Sequence, residues 1–566
     1  MLPILRKDEE FFNLRIKGFE GLSHMAKSVR HDEAMYKEYR EKGYWEATTL
    51  ADFWQVNARD YPDDEAVVDS RTRLTWREAN RWIDRLALGF LDLGFKKDDM
   101  LVVQLPNSVE LVLLRVACER AGLLCLPVLR TWRYSEMEYV LKRVEAVGVV
   151  IPWKSREFDH FEMIRELRPG LPQLRHVFVA GDEVPEGAIS IKRMVESPVE
   201  QKYPADCLAK TKCPADEFSL VAQTSGSTGF PKFVESPLCC RIFEGKEFAE
   251  RFEITEKDVL GALTPATGGP NIPTYFSAPR VHAKVVMLEH FSPQEAFEII
   301  EKERITFAGV VPAQLAMMLR DPGRRNYDLQ SLRCFYCAGA ALPPELGKEV
   351  QKEFSCTIVQ VYGAMDAGGM TIHSFSDADA VRLSTIGKPA KGNEIKLVDD
   401  EGREGPGVEV GEILAKGPTL VTGYFKDPEA VASAWTKDGW YKTGDLGRFD
   451  QDGNLLIVGR KKEMIIRGGQ NIYPIEIENI LLGHPRIAQV AVVKMPDPVM
   501  GEKACAYVVP QAGQDIAFEE MVSFLKSKSV AAYKLPERME IIAALPLLPS
   551  GKVDKRVLEQ EAAKKV

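Results

Sequence analysis

"LTWREANRWIDRLALGFLDLGF", residues 74–95, is where the fold becomes readable. Thr75 followed by Glu78 is a capping-box pattern, in which each side chain serves the other's backbone N–H at a helix start. Ile83, Leu86, Ala87, Phe90 and Leu91 then recur at helical spacing and give the helix one apolar face. Next come an apolar strand, "MLVVQL" (100–105), a helical stretch from Ser108 to about Ala121, and "LLCLPVL" (123–129). Helix, strand, helix and strand in that order predict a parallel sheet with helices on its faces. The same rhythm returns around 284–320 and 345–362. From about 393 to 459 short strands and turns take over, with a hairpin expected around Asp452-Gly453 in "GRFDQDGNLLIVGR". A small α+β unit follows, with strands 487–494 and 503–510 and a helix from about 517 to 528.

The chain has 566 residues, enough for several folding units at roughly 100–200 residues each. Its 45% apolar and 28% charged content is that of a soluble globular protein. A net charge of −9 speaks against a nucleic-acid binder and leaves small anionic substrates open. Ten scattered cysteines make no secreted disulfide framework, and the Cys334/Cys337 pair in "LRCFYCAGAAL" reads as core thiols on a buried strand. "MLPILRKDEEFF" turns acidic by Asp8, without the apolar run of a signal peptide. The most apolar stretch, 111–129, is broken by Arg115, Glu119 and Arg120, so no transmembrane segment is expected. The expectation is a cytoplasmic protein.

"AQTSGSTGFPKFVES" (222–236) gathers hydroxyls, two glycines and Lys232 in one loop. Composition alone leaves two readings, a Ser/Gly surface linker and a phosphate-binding loop. It is not the common nucleotide loop, which has four residues between its glycines and ends in Gly-Lys-Ser/Thr. A strand in "EFSLVAQ" (217–223) delivers into it, and phosphate loops of open α/β sheets sit at such strand ends. "CTIVQVYGAMDAG" (356–368) repeats the device and ends at a glycine turn and Asp366. "GRKKEMIIRGG" (459–469) reads either as a hinge flanked by anion-binding side chains or as a solvated basic turn.

Five motifs in one order, "TSGSTGFPK", "VYGAMDAG", "YKTGDLGRFDQDGNLLIVGRKKEMIIRGGQNIYPIEIE", "LLGHPRIAQVAVVKMPD" and "LPSGKVDK", resemble the adenylate-forming (ANL) acyl-CoA synthetase superfamily from about Tyr39 onward. Within it the chain is similar to short- and medium-chain or alicyclic acid–CoA ligases and to free-standing aryl-acid adenylating enzymes. The resemblance implies an α/β fold. Residues 1–459 would form a large N-terminal domain of parallel α/β subdomains plus a β-rich subdomain. A hinge at 460–463 and a small mobile α+β C-terminal domain, 464–566, would follow. It also implies ATP, Mg²⁺ and coenzyme A as reactants. A carboxylate would attack the α-phosphate of ATP to give acyl-adenylate and pyrophosphate, and a thiol would then displace AMP. The partners would be a small carboxylic acid and coenzyme A, and the protein a monomer or homodimer.

The same resemblance implies roles for single residues. Thr224, Ser225, Gly226, Ser227, Thr228, Gly229 and Lys232 match the loop that holds the β- and γ-phosphates. Gly339, Ala340 and Ala341 match the adenine-lining turn, and Tyr362, followed by Gly363, matches the residue stacking on it. Asp445 matches the ribose carboxylate, Arg460 a further ribose contact, Lys462 the hinge position and Lys552 the catalytic lysine. Thr267, Gly268, Gly269, Ala338 and Gly368 fall in acyl-pocket segments, and Gly468 and Gly469 on the coenzyme A channel.

Three departures stand out. Asp366 occupies the position where the family usually has a Glu that binds the ATP-bound Mg²⁺. "VESP" (234–237) replaces the commoner Thr-His. "ALTPATGGPNIPTYF" (262–276) lacks both the His-Asn pair of dihydroxybenzoate-activating relatives and the His of many acyl-CoA synthetases. The pocket segments hold Ala266, Gly268, Gly269, Ala338, Gly339, Gly368 and Gly369 and no obvious cation, so an apolar aliphatic, alicyclic or aromatic acid is expected, with room for bulk. Three readings stand: an acid–CoA ligase, an aryl-acid adenylating enzyme that loads a carrier protein, and a nucleotide-binding protein without catalysis.

Overall fold

The computed structural model describes residues 31, 33–224, 231–265, 267–405, 407–421, 423–548 and 552–564. The N-terminal stretch read above for a signal peptide, the loop residues Ser225, Gly226, Ser227, Thr228 and Gly229, and Ala266 lie outside them.

Thr75 caps the Trp76–Asp92 helix: its Oγ1 accepts from the Glu78 N–H at 3.3 Å, and Glu78 Oε2 accepts from the Thr75 N–H at 2.9 Å. The next helix, Val109–Ala121, starts at the Ser108 cap and stops at Gly122, whose φ of 70° suits glycine. Twelve of its thirteen residues are buried, the exception being Arg115. A helix buried on nearly every side must lie between two layers. The layers are two large sheets.

One sheet of eight strands runs 423–424, 233–236, 220–223, 124–127, 100–103, 148–152, 176–180 and 189–190, parallel from 220–223 onward. The other has nine, with a parallel centre from 357–364 through 334–337, 307–310, 259–262 and 284–287 to 65–68. Leu101, Val150 and Phe178 of the first share one apolar core with Val67, Leu260 and Phe307 of the second, through Leu86, Phe90, Leu113 and Ala117 of the helices.

A four-stranded antiparallel sheet follows, in the order 394–398, 411–416, 441–449 and 455–460. A short turn, Lys461–Glu463, leads to a five-stranded sheet built on the Ile487–Asp497/Gly501–Pro510 hairpin. The two apolar clusters on that sheet draw every residue from position 465 onward. All ten cysteines are buried and none forms a disulfide among the described residues, and burial pushes the Cys337 thiol up to about 12. Among the described residues no helix is long and apolar enough to cross a membrane.

Candidate active site

Parallel strands of both large sheets end on one rim each, where the expected site residues cluster. The Leu220–Gln223 strand pairs with Phe233–Ser236, and the loop between them is pinned at its base. The Thr224 N–H donates to the Lys232 carbonyl at 3.0 Å, and the Lys232 N–H donates to Thr224 Oγ1 at 3.1 Å. The Lys232 ammonium stands 4.5 Å from the centre of the Tyr424 ring, a cation–π distance. Tyr424 in turn donates its hydroxyl to Asp366 Oδ2 at 2.6 Å, and that carboxylate also raises the pKa of the buried Tyr441 hydroxyl, after burial itself. Asp366 follows the Thr357–Ala364 strand.

Tyr362, on the same strand, donates to Asp445 Oδ2 at 2.7 Å. Asp445 lies opposite Arg460 in the Tyr441–Phe449/Leu455–Arg460 pair, with Oδ1 2.8 Å from Arg460 Nε. Asp445 is 7% exposed, and burial raises its pKa against the pull of Arg460. Gly339 follows the Cys334–Cys337 strand with φ of 86°, a left-handed turn that leaves Gly339, Ala340 and Ala341 exposed on the rim beside the Tyr362 strand.

Lys552 comes from the small C-terminal unit, where its carbonyl accepts from the Leu548 N–H at 2.7 Å. Lys552 is exposed to solvent. Burial lowers its pKa first, then Arg460, while Asp445 and Asp366 pull it upward. One cation thus feels both carboxylates of the large unit. Lys462 also has a lowered pKa, from burial and Arg460. Gly468 and Gly469 lie elsewhere, on the exposed tip between Ile465–Arg467 and Gln470–Ile472, where the Gly468 N–H donates to the Met500 carbonyl at 2.8 Å.

A cavity of about 40 Å³ opens beside the strand that leads into the phosphate-type loop. Thr267 and Gly268 line it; Gly269, Ala338 and Gly368 do not. Gly269 faces Met365, and Gly363 and Gly368 pack so tightly that a Cβ on either would meet a carbonyl, of Gly368 and Thr419 respectively. The wall expected to be cation-free is corrected: Arg115 and Arg241 both border the cavity, with Gln223, Tyr275, Phe276 and Met365. Gly245 has no Cβ, so Phe276 closes on its helix, where a Cβ would meet Phe276 at 2.6 Å.

A larger cavity, about 330 Å³, lies on the same rim of the eight-stranded sheet. It is lined by Arg130 and Arg133, which follow strand 124–127, and by Ser155 and Arg156, which follow 148–152. Arg130 donates to Ser155 Oγ at 2.6 Å, and Arg133 lies 4.0 Å over the Phe158 ring. Sequence reasoning missed this cluster, as it missed Tyr424, Tyr441 and Arg115.

The residues present fit a phosphate-borne Mg²⁺. Such an ion uses one or two carboxylates plus phosphate oxygens and water. Asp366 offers one oriented carboxylate, and no cage of three or more acidic, His or Cys ligands surrounds it among the described residues.

Fold and cleft together define an adenylate-forming α/β enzyme. The chain belongs to the AMP-binding enzyme family: residues 54–425 match its main domain and 476–552 the AMP-binding enzyme C-terminal domain. It is 33% identical over 533 residues to the 2-hydroxy-7-methoxy-5-methyl-1-naphthoate–CoA ligase of Streptomyces carzinostaticus, covering 93% of this chain and 95% of that one. It is 32% identical over 537 residues to the 2,3-dihydroxybenzoate-AMP ligase of Bacillus subtilis (strain 168), covering 94% and 97%. Its fold matches the anthranilate CoA ligase AuaEII in complex with anthranoyl-AMP with a TM-score of 0.83 at 22% identity, over 92% of this chain and 98% of that one.

Proposed function

We propose that the protein is an AMP-forming acid–coenzyme A ligase. The observation that carries this reading is Lys552, brought by the small unit into the field of Asp366 and Asp445 of the large one. In the first step a substrate carboxylate oxygen attacks the α-phosphorus of ATP and pyrophosphate leaves. Both reactants are anionic, so positive charge held in place is what lowers the barrier. Lys552 supplies it at the carboxylate and α-phosphate. The 224–229 loop and Lys232 take the departing β- and γ-phosphates, and Asp366 would hold a Mg²⁺, which would supply charge neutralisation there. Gly339, Ala340, Ala341 and Tyr362, with Gly363, receive the adenine. Asp445 and Arg460 receive the ribose.

In the second step the coenzyme A sulfur, its proton lost, attacks the acyl carbonyl, and AMP leaves with the electron pair of the cleaved C–O bond. Turning the 464–566 unit about 460–463, at Lys462, would carry Lys552 out and bring Gly468 and Gly469 to the thiol channel. Three guanidinium groups around the larger cavity suit the phosphates of coenzyme A, which favours this acceptor over a carrier protein. The test is ATP–pyrophosphate exchange over an acid panel, followed by addition of coenzyme A. Rapid AMP release without any carrier protein is expected. AMP release that waits for a carrier protein would establish the loading reaction instead.

A further inference from the structure

Arg115 is the one residue of the Val109–Ala121 helix that is not buried, and it opens onto the small cavity. Its neighbours on the helix are satisfied. Glu119 accepts from the Ala51 N–H at 2.7 Å, and Arg120 pairs with Asp84 and donates to the Ala51 carbonyl at 3.0 Å. The cavity's other cation, Arg241, is neutralised by Glu244 at 2.6 Å, with both side chains almost wholly buried. Arg115 has no carboxylate partner among the described residues. Its guanidinium carbon stands 4.1 Å over the Tyr275 ring and 5.7 Å from that of Phe276. The Tyr275 hydroxyl beside it is buried, and Arg115 is the charged group that acts on it.

A cation held inside a protein without a counter-charge is costly unless something supplies the missing acceptor. Here a planar donor fork with no carboxylate partner and a phenol line one cavity together. We propose that Arg115 determines specificity, taking a hydrogen-bond-accepting oxygen at the far end of an acid substrate, a second carboxylate or a hydroxyl. Ile272, Phe276 and Met365 supply apolar walls for its body. The inference rests on the ligase reading above and narrows its substrate.

Two series of matched acids test it by ATP–pyrophosphate exchange: butanoate, 4-hydroxybutanoate and succinate; benzoate, 3-hydroxybenzoate and isophthalate. In whichever series reacts, an acid with the distal oxygen should exceed the unsubstituted one by about 10²-fold or more in kcat/KM, because a site built around polar groups rejects an analogue that leaves them unpaired. The hydroxyl and carboxylate arms identify which oxygen is read. Arg115→Met should reduce that preference at least about tenfold, with Arg115→Gln as the variant to use if the Met substitution does not fold. Equal or faster exchange with the unsubstituted acid, or an undiminished preference in the variants, would overturn the role of Arg115 and leave the ligase reading standing. No exchange with any acid would overturn the ligase reading itself.

Discussion

Asp445 and Arg460 face each other across an antiparallel strand pair, and the second oxygen of Asp445 is held by the Tyr362 hydroxyl. Both carboxylate oxygens are engaged, though each keeps a lone pair for a ribose hydroxyl. Asp445→Asn should weaken binding of a non-hydrolysable ATP analogue by about 10–100-fold, the loss of charge-assisted hydrogen bonds worth ~1.5–3 kcal/mol. Tyr362→Phe keeps the ring and should stay within about threefold. Titration calorimetry on both variants decides it; unchanged binding in Asp445→Asn would remove the ribose role.

Lys552 and Gly469 should separate the two half-reactions. Lys552→Ala should slow acyl-adenylate formation by about 10²–10³-fold, while thioester formation from supplied acyl-adenylate survives. Gly469 sits on an exposed tip with φ of 82° and open space around it, so Gly469→Leu adds backbone strain but no clash. That variant should adenylate normally and fail to form thioester. Equal loss of both steps in Lys552→Ala, seen in exchange and single-turnover assays, would trace its effect to folding or docking.

For Asp366 the charge should matter more than the length. Asp366→Asn should raise the Mg²⁺ concentration for half-maximal exchange by about tenfold or more, whereas Asp366→Glu should be tolerated. The Tyr424 hydroxyl at 2.6 Å fixes the carboxylate, so Tyr424→Phe should show a smaller shift in the same direction. A magnesium titration that is identical for Asp366→Asn and its parent would reduce Asp366 to a turn residue.

Glu119 should make stability depend on pH. Burial raises its pKa from an ordinary 4.5 to about 7, so the folded state holds a proton that the unfolded chain releases. Its contribution is present in full below about pH 4.5 and fades as pH rises through 7. Glu119→Gln keeps an oxygen for the Ala51 N–H and removes the titration. Urea unfolding should find the variant close to its parent at pH 4.5 and more stable by about 3 kcal/mol at pH 8.5. A difference that did not grow with pH would mean that Glu119 is ionised in the fold at neutral pH.

Local signals carried the α/β reading. The Thr75–Glu78 box, the strand–helix alternation and the Asp452-Gly453 turn each concern neighbours in sequence, and each appears in the fold where its residues place it. Asp445 could be singled out because its motif is contiguous. Tyr424 could not: it reaches Asp366 across 58 residues, through strand pairing that no local pattern encodes. Arg115 is the instructive case. It was visible as a charge interrupting an apolar run, just as Glu119 and Arg120 were. What sets it apart is the lack of a carboxylate partner among the described residues, and that depends on the elements packed around its helix.

The small unit's apolar clusters contain no residue from before position 465, and the chain enters it through a three-residue turn. Its cohesion is therefore its own. Swinging it through a large angle would uncover the cleft around Lys552 but none of the small unit's interior, so such a turn would leave its apolar core intact. Heat should act on the two parts separately: calorimetry should resolve two melting steps, with bound nucleotide drawing them together as it ties Lys552 to the larger part.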